Sequence, residues 1–419
     1  MLLAPVCEEH LRPSYSADPG DDRCTGPRWY WPRSVYIHIP FCAHHCCYCD
    51  FAVVSGAASL VDAYLDALER EIALYTGRTF AGYQGHIQPL FVETIYIGGG
   101  TPSFLSAKQL QRLLEMVQRY FCYRREEVEF TLEANPTDVT AEKLEILAQY
   151  GVNRLSLGAQ SFEEEVLRFL ERTHTAATIE QAVRLAQRYL ANVSLDLIFA
   201  VPGQTLEQWH RDLQRALALG VQHLSTYNLT VEPRTALWAR VKRGLVRATD
   251  EETERRFYAH TIETLESAGW EHYEISNFCR PGFHSRHNGV YWAGEAYFGF
   301  GLGAARYMCG TRQTNTRSLR QYFTLLQAGR LPVADSETLR PWERAAETAA
   351  LQLRRRCGIH RGEFERQTGI PLDYLLGRVI ARHQARGWLE DDGERVRLTR
   401  EGIFYADLVC ADCVAAAQQ

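Results

Sequence analysis

The chain has 419 residues, a formal net charge of -5 and 46% hydrophobic residues, a globular composition long enough for two or three domains at about 150 residues each. The acidic balance excludes the basic footprint of a general nucleic-acid binder. There is no apolar run of about 18 residues and no basic start followed by a long apolar stretch, so neither a membrane span nor a secretory signal is expected. A cytoplasmic, reducing location follows, and there the 12 cysteines point to metal binding or catalysis wherever they cluster.

Residues 1–33 form an N-terminal extension with no assigned structure. From Ser34 short β-branched runs alternate with amphipathic stretches. SVYIHI (from Ser34), ETIYIG (from Glu93), VEFTLE (from Val128), NRLSLG (from Asn153), VSLDLIF (from Val193) and HLSTYNL (from His223) are the expected strands. Helical patterns lie between them, and Thr140, Gly151 and Gly220 stand where an N-cap and two C-terminal glycines belong. Apolar strands alternating with helices predict βαβ units and a parallel sheet buried on both faces. Six units over residues 34–269 make a partial (β/α)6, TIM-like barrel, with its site at the carboxyl ends of the strands. Residues 270–340 are aromatic and Gly-rich without a clear period, as expected of a linking region of loops and short strands. Residues 341–419 predict a small C-terminal domain of helices followed by two short strands around Asp391-Asp392-Gly393, a winged-helix-like pattern.

After the first strand, Cys42, Cys46 and Cys49 are spaced CxxxCxxC. Three thiolates on one short loop can hold three irons of a cubane cluster and leave the fourth iron open to a small chelating molecule. Zinc, with His44 or His45 as a fourth ligand, is the competing reading; the position of the loop at a barrel mouth argues against it. Cys47, between two ligands, is expected to be a packed bystander. Gly98-Gly99-Gly100-Thr101-Pro102 follows the second strand, where glycine lets the backbone approach a ligand closely, although a tight turn would also explain it. Glu133 ends the third strand and could accept hydrogen bonds from a ribose diol, or simply be a solvated charge. Asp196 is a carboxylate inside an apolar strand and so requires a partner.

YIHIPFC followed by CxYC closely resembles the radical SAM signature of the anaerobic coproporphyrinogen oxidase group, the HemN/HemW family, from about Ser34 to the end of the chain. The resemblance implies a [4Fe-4S] cluster on Cys42, Cys46 and Cys49, with S-adenosyl-L-methionine (SAM) on the unique iron. It also implies cofactor contacts from Tyr36, Gly99, Gly100, Thr101, Glu133, Gln160, Arg172 and Asp196.

Two functions share that cradle. The oxidases of the family carry a fourth cysteine two residues after the third, and Phe51 stands there in this chain. His287-Asn288-Gly289-Val290-Tyr291-Trp292 matches HNxxYW, the motif associated with heme in the other branch. A neutral imidazole is a good axial iron ligand, and Tyr291 and Trp292 can cover a porphyrin face; the bland alternative is an aromatic loop packed on the barrel. His284 is a candidate second ligand. The resemblance thus implies a heme chaperone with exchangeable SAM, passing heme to an unidentified acceptor hemoprotein. The alternative is a decarboxylating coproporphyrinogen III oxidase, and Phe51 leads us to expect no such activity. No nucleic acid, no transmembrane segment, a peripheral membrane contact at most, and a monomer or homodimer complete the expectation. Cys410-x-x-Cys413 and Arg354-Arg355-Arg356 are read as structurally neutral and as part of a solvated mixed-charge face.

Overall fold

The computed structural model describes residues 14–15, 24–25, 27–79 and 90–417. The six expected strands form with ends moved by one or two residues: β1 (Ser34–Ile39), β2 (Thr94–Gly99), β3 (Glu129–Ala134), β4 (Arg154–Gln160), β5 (Asn192–Phe199) and β6 (His223–Asn228). All five neighbouring pairs are parallel. The apolar side chains of one face, Val35, Ile37 and Ile39, Ile95 and Ile97, and Val193, Leu195 and Leu197, are all 0% exposed, and the opposite face carries polar side chains that are buried too, with Thr131 and Ser194 at 0% and Ser156 at 2%. Each large apolar side chain removed from water contributes about 1.5–3 kcal/mol, so the sheet is the thermodynamic centre of the chain.

Helices cross between the strands and carry hydroxyl caps, Thr140 among them as expected. The Thr140 hydroxyl accepts from Lys143 N–H at 3.3 Å, and the Thr205 hydroxyl from Gln208 N–H at 3.2 Å. Among the described residues the sheet is open, not closed, and runs on past both ends of the six-strand unit.

The part read as a linking region belongs to this sheet. β7 (Glu271–Glu274) and β8 (Asn277–Cys279) form a hairpin that adds antiparallel to β6. β9 (Phe298–Phe300) adds parallel to β1 at the opposite end. Between them HNxxYW lies on a helix, Arg286–Ala293, not on the aromatic loop considered above. Ser285 caps that helix by accepting from Asn288 N–H at 3.3 Å, and Gly294 ends it in the left-handed region at φ 68°. Its period is masked in the sequence because neighbours cover several of its sides.

The C-terminal unit has helices Pro341–Leu353, Arg361–Thr368 and Leu372–Ala385. Strands Leu389–Asp391 and Arg395–Leu398 pair antiparallel around Asp392 and Gly393, and Ile359–His360 joins them. This is the winged-helix-like arrangement. The extension before residue 27 lies mostly outside the described residues.

Candidate functional site

A cavity of about 520 Å³ opens at the carboxyl ends of the parallel strands. Cys42, Cys46 and Cys49 line it, together with Gly99, Gly100, Thr101, Glu133, Gln160, Arg172 and Asp196. Chain order and strand register thus bring ten of the expected cluster and cofactor residues to one mouth. A second cavity of about 430 Å³ adjoins it, with Asp50, Phe51, Tyr96, Gly99, Glu133 and Asn288 shared between the two. Tyr36 lines the second cavity, its hydroxyl 3.0 Å from His38 Nδ1.

The cysteine loop is held from outside. Thr101 Oγ1 is 3.2 Å from Cys42 Sγ, and Arg172 donates to Cys46 Sγ at 3.4 Å. Arg172 also donates to Gly158 O at 3.0 Å and to Asn135 Oδ1. These donors suit sulfurs that carry negative charge. Cys47 faces the other way, buried among Val166, Leu170 and Leu237 with its thiol on Phe169 O at 3.5 Å. His45 Nε2 is 3.0 Å from Cys49 O, and His44 Nε2 is 3.5 Å from Glu171.

The glycines are required by space. A Cβ on Gly99, whose φ is +114°, would come within 2.5 Å of the His38 ring, and one on Gly100 within 2.6 Å of Pro40 O. Glu133 accepts from Tyr96 O–H at 2.7 Å and from Gly99 N–H at 2.9 Å. Burial, and then the nearby Asp196 carboxylate, push Glu133 up to about 7. Asp196 finds its partners in the Ser156 hydroxyl, at 3.2 Å from both oxygens; burial raises it above the usual carboxylate range. Gln160 sits at φ 65° where the β4–β5 register slips, a conformation that costs of order 1–3 kcal/mol and tends to cluster at functional sites.

Several cavity residues escaped sequence reasoning. Arg154 is 2% exposed and lines the first cavity, with its guanidinium 3.2 Å from His223 Nδ1. A charge in an apolar strand was the signal that exposed Asp196, and it applied equally to Arg154. Tyr96, Ser156 and Asn135 gave no comparable signal.

The HNxxYW helix divides its residues. His287, Asn288 and Tyr291 face the second cavity. Trp292, one position further round, lies beneath the Arg354 guanidinium at 4.9 Å and lines neither cavity. His287 is 1% exposed. Its Nδ1 is 2.8 Å from Thr94 Oγ1 and its Nε2 2.8 Å from the Tyr291 hydroxyl, so both ring nitrogens are engaged. Burial, and then the charge of Arg154, pull its pKa down to about 3, which keeps the ring neutral. His284 lies outside both cavities, 2.6 Å from Glu271 Oε2. The Arg354-Arg355-Arg356 run is spent within the fold, on Asp407, Gly358 O and Leu398 O.

A parallel α/β sheet with three cysteines, a glycine cradle and half-buried carboxylates at one mouth defines a radical SAM protein. The Radical SAM superfamily profile matches residues 36–216 and the HemN C-terminal domain profile residues 339–405. The solved structure of coproporphyrinogen III oxidase (HemN) from Escherichia coli superposes with a TM-score of 0.78, covering 91% of this chain and 90% of that one at 23% identity; it shares the fold. Heme chaperone HemW of Bacillus subtilis is 38% identical over 88% of this chain and 96% of its own length. The same-named protein of Lactococcus lactis is 38% identical over 89% and 94%. Radical S-adenosyl methionine domain-containing protein 1 of Bos taurus, a mitochondrial protein, is 32% identical over 96% and 92%. The chain belongs to the HemW family of radical SAM proteins.

Membership implies a [4Fe-4S] cluster and SAM, and the residues present fit them. Cys42, Cys46 and Cys49 would hold the cluster, while the Gly99–Thr101 cradle, Glu133, Gln160, Arg172 and Asp196 surround the space beside it. When bound, the cluster supplies an electron that can cleave the SAM sulfonium. What the chain supplies is two hydrogen-bonded sulfurs, a cradle that no side chain could enter, and carboxylates positioned by Tyr96 and Ser156.

Proposed function

We propose that this protein is a heme chaperone: it binds heme and passes it to an acceptor hemoprotein, with the cluster and exchangeable SAM held in the barrel mouth. One observation carries this reading, the kinship at 38% identity over 96% of the length of a protein named for that function. Phe51 agrees with it. This side chain is 63% exposed at the rim shared by both cavities, where a fourth cysteine would mark the oxidase alternative. An exposed aromatic ring on a rim suits a flat apolar ligand.

The second cavity is the heme site in this proposal, with His287 as axial ligand and Asn288 and Tyr291 beside it. For the Nε2 lone pair of His287 to reach iron, the Tyr291 hydroxyl must let go of it. Trp292 stiffens the helix through Arg354 instead of covering the macrocycle. Cytoplasmic location, and an acceptor met at a membrane surface by a monomer or homodimer, belong to the same proposal. Among the described residues no helix is long and apolar enough to cross a membrane.

The test is an anaerobic heme titration of wild type, His287→Ala and Tyr291→Phe. Tyr291→Phe removes the competing hydroxyl and should bind heme at least as tightly as wild type, with the same histidine-ligated spectrum. His287→Ala should shift the Soret band and weaken binding. An unchanged spectrum and affinity in His287→Ala would move iron ligation elsewhere, and retention of heme by none of the three, wild type included, would refute the chaperone reading.

A further inference from the structure

Three ligand-type side chains meet at the far edge of the sheet, away from both cavities. β7 and β8 are antiparallel with Glu271 directly opposite Cys279, and paired residues project from the same face with Cβ atoms about 4.5–5.5 Å apart. After Cys279 the chain turns back: Phe283 N–H donates to Arg280 O at 3.0 Å, and Gly282 holds φ +86°, a value glycine adopts readily. The turn carries His284 over the pair. One ligand atom each from Glu271, Cys279 and His284 then lies within 4.8 Å of the other two.

The surroundings are those of a supported ligand set. Cys279 is 0% exposed, while the side chains of His284 and Glu271 are 50% and 45% exposed, which leaves the open side toward water. The His284 ring stacks on Tyr273 at 4.5 Å between centroids and 25° between planes. The Tyr273 hydroxyl is fixed in turn, 2.7 Å from His223 Nε2 and accepting from Ser285 N–H at 3.2 Å. Ligand-orienting layers of this kind are half of a working metal site. A bare, half-exposed His–Glu ion pair is worth little and has no use for a buried thiol beside it.

We propose that Glu271, Cys279 and His284 form a site for a borderline-soft divalent ion, with Zn²⁺ the natural occupant and water in the fourth position. One thiolate, one imidazole and one carboxylate are its ordinary ligands. Bonds of about 2.0–2.3 Å in a tetrahedron space the ligand atoms by roughly 3.3–3.8 Å, so modest side-chain rotations complete the set. On binding, the Cys279 thiol loses its proton to solvent. The ion ties the hairpin to the residue before Ser285, and so to the start of the helix that carries His287.

Full-length protein with its reconstituted cluster is equilibrated with Zn²⁺ alone, freed of excess ion, and examined by metal analysis and zinc X-ray absorption. The expected result is one zinc per chain in a shell of a single sulfur with nitrogen and oxygen neighbours. Cys279→Ala and His284→Gln should each weaken zinc binding at least about tenfold, with iron content unchanged. His284→Gln alters only a half-exposed side chain and decides the matter if Cys279→Ala fails to fold. Zinc retained equally by His284→Gln overturns the proposal, as does a shell of three sulfurs, which would put the ion in the cysteine loop.

Discussion

In the HNxxYW helix His287 is a buried bridge between two hydroxyls, and replacing it by alanine breaks that bridge. The ring joins Thr94, which is 3% exposed, to the Tyr291 hydroxyl, with both contacts at 2.8 Å. It also stacks on Tyr96 at 5.1 Å. Truncation strands two hydroxyls, at about 1–3 kcal/mol for each one left unsatisfied, and opens a void where a ring was packed. A loss of about 3–5 kcal/mol follows, in the range of aromatic-to-alanine changes in cores. Tyr291→Phe strands only Nε2 and should cost about 1–2 kcal/mol.

The pH dependence has a definite sign. His287 titrates at about 3 in the fold and near 6.5 when unfolded. Below pH 6.5 the unfolded chain therefore binds a proton that the folded chain refuses. The stability the buried ring contributes is complete above that pH and declines by about 1.4 kcal/mol per unit as pH falls toward 3. His287→Ala lacks this proton site, so its deficit against wild type should narrow by about 1 kcal/mol between pH 6.5 and 5.5, where the unfolded imidazole passes from half to nearly fully protonated. Urea unfolding of the full chain, followed by circular dichroism at both pH values, measures it. A deficit below about 1 kcal/mol at pH 7.5, or one that widens on acidification, would refute the reasoning.

Three further outcomes are expected. Alanine at Cys42, Cys46 or Cys49 should abolish stoichiometric iron and sulfide after anaerobic reconstitution, whereas Cys47→Ala, which alters a thiol packed against Phe169 and Leu170, should keep the full complement. Gly99→Ala forces a Cβ to within 2.5 Å of the His38 ring at φ +114°; SAM binding, measured by equilibrium dialysis, should fall by at least about tenfold or the chain should fail to fold, and unchanged affinity would remove Gly99 from the cradle. Coproporphyrinogen III incubated anaerobically with reconstituted protein, SAM and reductant should yield no decarboxylated product, and its appearance would return the chain to the oxidase class despite Phe51.

The sequence by itself determined the parallel sheet, because six β-branched runs separated by amphipathic helices leave few other ways to bury both faces of each strand. The cysteine loop was equally legible as a candidate ligand set, because its three thiols lie within eight residues and need no distant partner to be recognised. Asp196 was legible for the same kind of reason: a carboxylate in an apolar strand has to find a partner, here Ser156. What depended on contacts distant in sequence was decided only by the tertiary structure. Neither β7–β8 nor β9 announces itself, since short strands at a sheet edge take their register from neighbours dozens of residues away. Likewise, HNxxYW reads as one unit along the chain, but a helix turns each residue by about 100° from the last, so His287 and Tyr291 share the cavity face while Trp292 is carried round to Arg354. Finally, a motif names an imidazole without saying what already holds its nitrogens. Thr94 comes from β2 and Tyr291 from one turn further along the helix, and only folding could bring both to within 2.8 Å of the same ring.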